Sequence, residues 1–265
     1  MKLLLSAIFL FITACSSTPQ VKPLTIAEKI QKDYKYGFFL IQRFEAQLKL
    51  KQDIEVSIYL RTLTETLIKL TNNLKNTPFG TVIIKDTQEK WNNYALPGSR
   101  IYLSLGLLKQ LNYETELASI LSYEIAQLEQ KLVLNQIEKQ FPGTNSTTDE
   151  EAKFSALPVQ EDSYEKINQL DFFSPRGIFI FSEEELVNSV ETAVSILYQA
   201  GFDVRGLVSL WKIFLNNPKT SPYEQKTLNK LIEKTRQTLA TYTPLLNPKV
   251  KSNKFLAFKK RIQNI

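Results

Sequence analysis

The chain has 265 residues, 43% hydrophobic and 23% charged, with 16 Phe and 11 Tyr. This is an ordinary globular composition, long enough for one good-sized core or two small ones, and too aromatic for a disordered chain. The formal charge is +6. The basic residues read as scattered among acidic ones, a mildly cationic solvated face with contact to anionic membrane surfaces as the alternative; no nucleic-acid partner is expected, because a nucleic-acid groove gathers its cations into a stripe.

The first segment is a targeting signal. Met1 and Lys2 precede an apolar run, Leu3 to Ile12, broken only by Ser6. That run is too short for a spanning helix, which needs ~20 residues, and fits the apolar core of a signal peptide. Ile12-Thr13-Ala14-Cys15 resembles the bacterial lipobox. The resemblance implies removal of residues 1–14 and acylation of Cys15, with membrane attachment through that lipid. The alternative is a plain secretory signal with an incidental cysteine. Ser16 stands where an aspartate resembles an inner-membrane retention signal, which points to the outer membrane, facing the periplasm. Each buried CH₂ of an acyl chain contributes ~0.8 kcal/mol to such an anchor. Cys15 is the chain's one cysteine, so no disulfide is available.

Residues 15–26 read as the lipidated cysteine and a proline-containing tether, and residues 27–265 as one domain. A long helical stretch is expected over residues 26–51, with an interruption at Gly37. A second helix is expected from Ile54 to Leu74, its apolar positions including Ile58, Leu60, Leu63, Leu67 and Leu70. Thr81 to Ile84 reads as a strand, and Asn92 to Leu103 as a strand, a Pro97-Gly98-Ser99 turn and a second strand. Helix is expected from Glu114 to about Glu138, then a loop insertion over about 140–170, then a short strand at Ile178 to Ile180. Helices follow at 182–199, 204–215, 221–240 and 254–262. The fold class is α+β, mostly helical, with a small sheet.

The segment NNYALPGSRIYLSLGLLKQLNYETELASILSYEIAQLEQK resembles the HtpX-like and CAAX-prenyl-protease family of zinc metallopeptidases. The nearest likeness is to the periplasmic branch that includes the β-barrel assembly-enhancing protease. Asn93, Ala95, Leu96, Pro97, Gly98, Ile101, Tyr102, Gly106, Leu107, Leu108, Glu116, Leu117 and Ala118 match that family's strand, turn and helix in order. The likeness covers about residues 54–211 and implies a zincin-like fold with a small sheet packed on the active-site helix.

In the family that helix carries H-E-x-x-H. Histidines four residues apart share one helix face and bind zinc, while the glutamate activates the zinc-bound water. Here the motif falls on Tyr123, Glu124 and Gln127. The third ligand of the family lies thirteen residues before the glycine of an Ala-Gly-Tyr/Phe-Asp turn. That turn is present as Ala200-Gly201-Phe202-Asp203, and the counted position is Asn188.

The chain contains no histidine, whereas catalytic zinc sites use nitrogen or sulfur donors with an open position. No metal and no cofactor are therefore expected, and no catalytic residues. Triads of Ser-His-Asp or Cys-His type are excluded by the same composition. Glu124 lies near the centre of an apolar face with Leu117, Leu121, Leu128 and Leu132, so its carboxyl must find donors or take a proton. One reading gathers Tyr123, Gln127 and Asn188 around it as a neutral cluster; the other makes Tyr123 and Gln127 border residues of that face.

The expected function is a catalytically inactive envelope lipoprotein that binds or scaffolds. Its partners would be envelope or outer-membrane proteins, or unfolded peptide segments added along Leu96, Pro97, Gly98, Ser99 and Arg100. The alternative is a hydrolase with residual or altered activity centred on Glu124.

Overall fold

The computed structural model describes Gly37 and residues 40–75, 80–84, 93–98, 100–140, 172 and 177–265. The expected signal segment, Cys15, the tether and residues 141–170 of the expected insertion lie outside the described residues. Residues 40–46 are helical. The elements that follow are β1 (Leu50–Lys51), α1 (Ile54–Ile68), β2 (Gly80–Ile84), β3 (Tyr94–Leu96), β4 (Arg100–Ser104), α2 (Leu105–Gln110), α3 (Glu114–Glu129) and α4 (Leu132–Gln140). After residue 177 come α5 (Glu183–Gln199), α6 (Arg205–Leu215), α7 (Pro222–Leu239) and α8 (Asn253–Gln263). The fold is α+β and mostly helical, as expected.

The helix starts follow capping chemistry. Asp53 accepts the Val56 N–H at 3.1 Å to open α1. Ser182 with Glu185 and Ser221 with Glu224 form reciprocal boxes at α5 and α7, the second with Pro222 in the first turn. At α3 the Glu116 carboxylate reaches back to the N–H groups of Asn112 at 2.7 Å and Tyr113 at 3.1 Å.

The four strands run in the order β1-β2-β4-β3, with β2 and β4 parallel and the other pairs antiparallel. Alternate side chains on a strand face opposite ways, and the sheet divides two cores accordingly. Ala95, Ile101 and Leu103 join the large helical core with α1, α3, α5 and α6. Leu96 and Tyr102 join a smaller one with Leu40, Phe44, Val133, Ile137, Phe172 and Ile178.

Helix α3 is the centre of the molecule. It packs against α1, α5, α6 and strand β3, and every residue from Glu114 to Gln127 is buried. A helix hemmed in on all sides has no solvent face, so the expectation of one apolar face with border residues does not describe α3.

Other expectations need correction. The first helical stretch ends at residue 46, because Leu50 and Lys51 pair with Ile84 and Ile83. Helix α1 stops at Ile68, and Ile58 is 60% exposed because Val56, Leu60, Leu63 and Leu67 form the buried stripe. Lys131, at φ 57°, divides the expected 114–138 helix into α3 and α4. Ile178 and Phe179 form a turn rather than a strand, with Ile178 fully buried in the smaller core.

Candidate functional site

The site is built on the α5-facing stripe of α3. Tyr123, Gln127 and Gln130 are four and three residues apart, so they share one side of the helix. Tyr123 is buried, and its hydroxyl donates to the main-chain carbonyl of Leu186 on α5 at 3.0 Å. Its ring meets Trp211 of α6 edge-on, with centroids 4.7 Å apart and planes at 79°. Trp211 in turn donates its Nε1–H to Thr235 on α7 at 3.2 Å. Ser189 of α5 donates to Gln130 Oε1 at 2.9 Å and Glu185 O at 3.0 Å. Two side-chain clamps, Tyr123–Leu186 and Ser189–Gln130, therefore join α3 to α5 on either side of Gln127.

Glu124 lies one residue round the helix, 5% exposed. Its carboxyl has no hydrogen-bond partner among the described residues, and burial pushes its pKa up to about 8. The Tyr123 phenol is held well above its ordinary pKa, first by burial and then by the neighbouring Glu124 carboxylate. Gln127 is buried without a side-chain hydrogen bond among the described residues. Asn188 is exposed on α5 and forms no hydrogen bond with Glu124. The expected cluster of Tyr123, Gln127 and Asn188 around Glu124 does not form. Tyr123 turns instead to a main-chain acceptor, and Asn188 lies on the solvent side of α5, next to the buried Ser189 and Val190.

These groups do not fit a zinc ion. Tyr123 is a protonated phenol already committed as a donor, Gln127 and Asn188 are neutral amides, and Glu124 favours its protonated form. Zinc sites are made from imidazole, thiolate and carboxylate. Among the described residues no group of three His, Cys, Asp or Glu side chains could hold a metal ion.

The proposed edge segment is divided by the fold. Leu96 ends β3, the terminal strand of the sheet, with its side chain fully buried. Arg100 is not on the edge: it opens β4, between β2 and β3, and its Nη1 pairs with Glu45 at 2.9 Å. The same Glu45 oxygen accepts the Tyr102 hydroxyl at 2.9 Å. Pro97 and Gly98 form the turn, with Gly98 at φ 80°, and Gly37 sits against it. A Cβ on Gly37 would stand 2.1 Å from the Pro97 carbonyl oxygen. Ser99 lies outside the described residues. Among the described strands, β3 (Tyr94–Leu96) and β1 (Leu50–Lys51) are the two terminal ones.

The model of peptidase family M48 matches residues 57–242. The chain belongs to peptidase family M48. It is 28% identical over 111 residues to the "Beta-barrel assembly-enhancing protease" of Yersinia pestis, covering 42% of this chain and 22% of that protein. It is 24% identical over 180 residues to the "Putative beta-barrel assembly-enhancing protease" of Vibrio cholerae serotype O1, covering 67% of this chain and 37% of that protein. The chain thus spans well under half the length of these two relatives. Tyr123, Glu124, Gln127 and Asn188 all lie within the matched span. None of the described helices is long and apolar enough to cross a membrane.

Sequence reasoning missed Leu186, Trp211 and the Ser189–Gln130 pair. A main-chain acceptor such as Leu186 O has no sequence signature, whereas Trp211, a bulky aromatic on an amphipathic helix, was a signal for a packing anchor. Tyr123→Phe is expected to keep the ring on Trp211 and lose the bond to Leu186 O, costing about 1 kcal/mol. Urea unfolding checks this; a stabilised Tyr123→Phe would show that the hydroxyl is not held by that carbonyl.

Proposed function

We propose that the chain is a catalytically inactive M48 peptidase relative, lipid-anchored at the outer membrane, that serves the cell envelope by binding rather than by cleavage. The observation that carries this reading is the commitment of the Tyr123 hydroxyl to Leu186 O at the place of a zinc-binding histidine. Polarised water is what makes the family glutamate a base, and without zinc ligands Glu124 has no such water to act on. The partner class is envelope or outer-membrane proteins, or unfolded segments of them, in keeping with the names of the two relatives. Binding of an extended segment by strand addition is held by backbone hydrogen bonds and needs no metal, so such a role does not depend on the family's zinc.

A second reading rests on one specific observation. A buried carboxyl with no partner among the described residues, its pKa pushed up to about 8 by burial, has the property of a general acid or base poised near neutrality. On that reading Glu124 is the centre of a residual or altered hydrolase activity.

Complementation of a strain lacking the protein separates the two. Glu124→Gln is expected to restore envelope integrity and to capture the same envelope proteins as the parent chain. Loss of function with an unchanged or raised melting temperature would favour the hydrolase reading and sink the binding one. For the anchor, mass spectrometry is expected to find a mature chain beginning at an acylated Cys15; a retained Met1 or a free thiol would contradict it.

A further inference from the structure

The cations of this chain are unevenly placed. Eight of its 33 basic residues, and none of its 27 acidic ones, lie after Glu233, so the preceding part of the chain is slightly acidic. The expectation of basic residues interleaved with acidic ones therefore fails for the last segment, which contains α8.

Six of the eight, Lys249, Lys251, Lys254, Lys259, Lys260 and Arg261, lie on α8 or in the segment leading into it. The Thr115 N–H donates to Val250 O at 3.2 Å, which fixes the chain entering α8 beside the first turn of α3. Lys259 Nζ donates to the carbonyls of Leu108 at 3.0 Å and Lys109 at 2.8 Å, and Gln263 also binds Lys109 O, so α8 is pinned across the end of α2. Arg261 is neutralised by Asp53 and Glu55. Lys251, Lys254 and Lys260 are exposed and have no carboxylate partner among the described residues. Several lysines elsewhere are paired, as in Lys139–Glu185, Lys230–Glu183 and Lys234–Glu191.

Exposed apolar groups lie on the same segments, with Leu256 and Lys260 one turn apart on one face of α8. Leu246 is 97% exposed, Leu256 47% and Tyr113 46%, and Lys251 Nζ lies 5.8 Å from the centre of the Tyr113 ring. Lysines that can reach outward beside leucine and tyrosine side chains form the pattern of a membrane interface. The cations meet lipid phosphates while the apolar groups enter the headgroup layer. A nucleic-acid surface would have no use for the exposed leucines.

We infer that the end of the molecule formed by α8, the segment leading into it and the Tyr113 turn is a docking surface for a bilayer containing anionic lipids. Lys251, Lys254 and Lys260 supply the charge, and Leu246, Leu256 and Tyr113 the apolar contact. The surface is independent of the metal-site reading and of the lipid on Cys15.

The test is lysine acylation footprinting of the full chain in vesicles, because membrane insertion of the N-terminal segment then leaves the readout intact. In phosphatidylglycerol-containing vesicles at low salt, labelling of Lys251, Lys254 and Lys260 should fall several-fold relative to pure phosphatidylcholine vesicles. Labelling of Lys69 and Lys226, exposed elsewhere, should not change. Protection should be lost at about 0.5 M salt, where screening is short-ranged. The combined variant Lys251→Gln, Lys254→Gln, Lys260→Gln should leave Lys109 and Lys249 equally labelled in both vesicle types. Equal labelling of the three lysines in anionic and neutral vesicles would overturn the proposal. So would equal protection by a soluble acidic peptide or by RNA without vesicles, since the surface would then favour a polyanion rather than a bilayer.

Discussion

Glu124→Gln is expected to flatten the dependence of stability on pH and to leave the protein more stable than the parent above neutrality. The folded carboxyl has a pKa raised from 4.5 to about 8 by burial. Below 4.5 it is protonated in both folded and unfolded chains, and its contribution is fully present. Between the two values only the unfolded chain ionises, so stability falls by about 1.4 kcal/mol per pH unit as pH rises. Above about 8 both states are ionised and the loss levels off, with an upper bound of about 5 kcal/mol. A glutamine has no charge to shed. It brings an amide that also lacks partners, which costs about 1–3 kcal/mol. The variant should therefore be the less stable protein at acid pH and the more stable one near pH 8. Urea unfolding across the pH series checks this. A Glu124→Gln curve with the parent's slope would mean that the carboxyl titrates alike in the folded and unfolded chains, and so is not held protonated by burial.

The second large effect is a contrast between two glycines. Gly206 lies in the first turn of α6, against the start of α3. A Cβ there would stand 2.5 Å from Thr115 Oγ1 and 2.9 Å from the Thr115 main-chain carbon. The hydroxyl can rotate, but only by giving up its 2.6 Å bond to Asp203 O, and the main chain of α3 cannot move alone. The same junction holds the bond from Ser209 to Glu116 at 2.5 Å, so α6 cannot shift without disturbing the cap of α3. Gly206→Ala is expected to cost about 3 kcal/mol. Gly106, inside α2, would meet only Ser104 Oγ at 3.5 Å. Gly106→Ala should stabilise by about 0.4–1 kcal/mol, through helix propensity and a less flexible unfolded chain. Equal effects of the two substitutions in thermal or urea unfolding would contradict this packing of α6 on α3.

Much of this fold was legible in the sequence, and for physical reasons. Helices α5, α7 and α8 announce themselves through serine caps and an apolar stripe, α6 through its stripe alone, and the β3–β4 hairpin through Pro97-Gly98 between apolar runs. Strand β1 was not legible, because two residues carry no period and Leu50–Lys51 is a strand only by pairing with β2. The break between α3 and α4 falls on Lys131 in a left-handed conformation that glycine or asparagine usually marks. Ile58 shows the limit of reading apolar residues as core: it stands on the far side of α1 from Val56 and Leu60.

For the site, the four-residue spacing of Tyr123 and Gln127 sufficed to place both on one stripe. Their partners were not legible, because a carboxyl with no donor and a hydroxyl bound to a main-chain carbonyl leave no pattern in the side chains. Asn188 was reached by counting along α5, which fixes its number but not its hydrogen bonds. The spread of charge was legible too, yet only its average was read. Its concentration after Glu233 acquires meaning once α8 is seen to lie across α2, with Lys251 just before it over Tyr113.

The most direct test of the central claim is elemental analysis of the full chain purified without chelator, run beside a protease assay on an unfolded protein with and without chelator. Because Tyr123, Gln127 and Asn188 offer zinc no imidazole or carboxylate, the expected result is zinc far below one per chain and no chelator-sensitive cleavage. One zinc per chain, with cleavage that chelation abolishes and zinc restores, would contradict it.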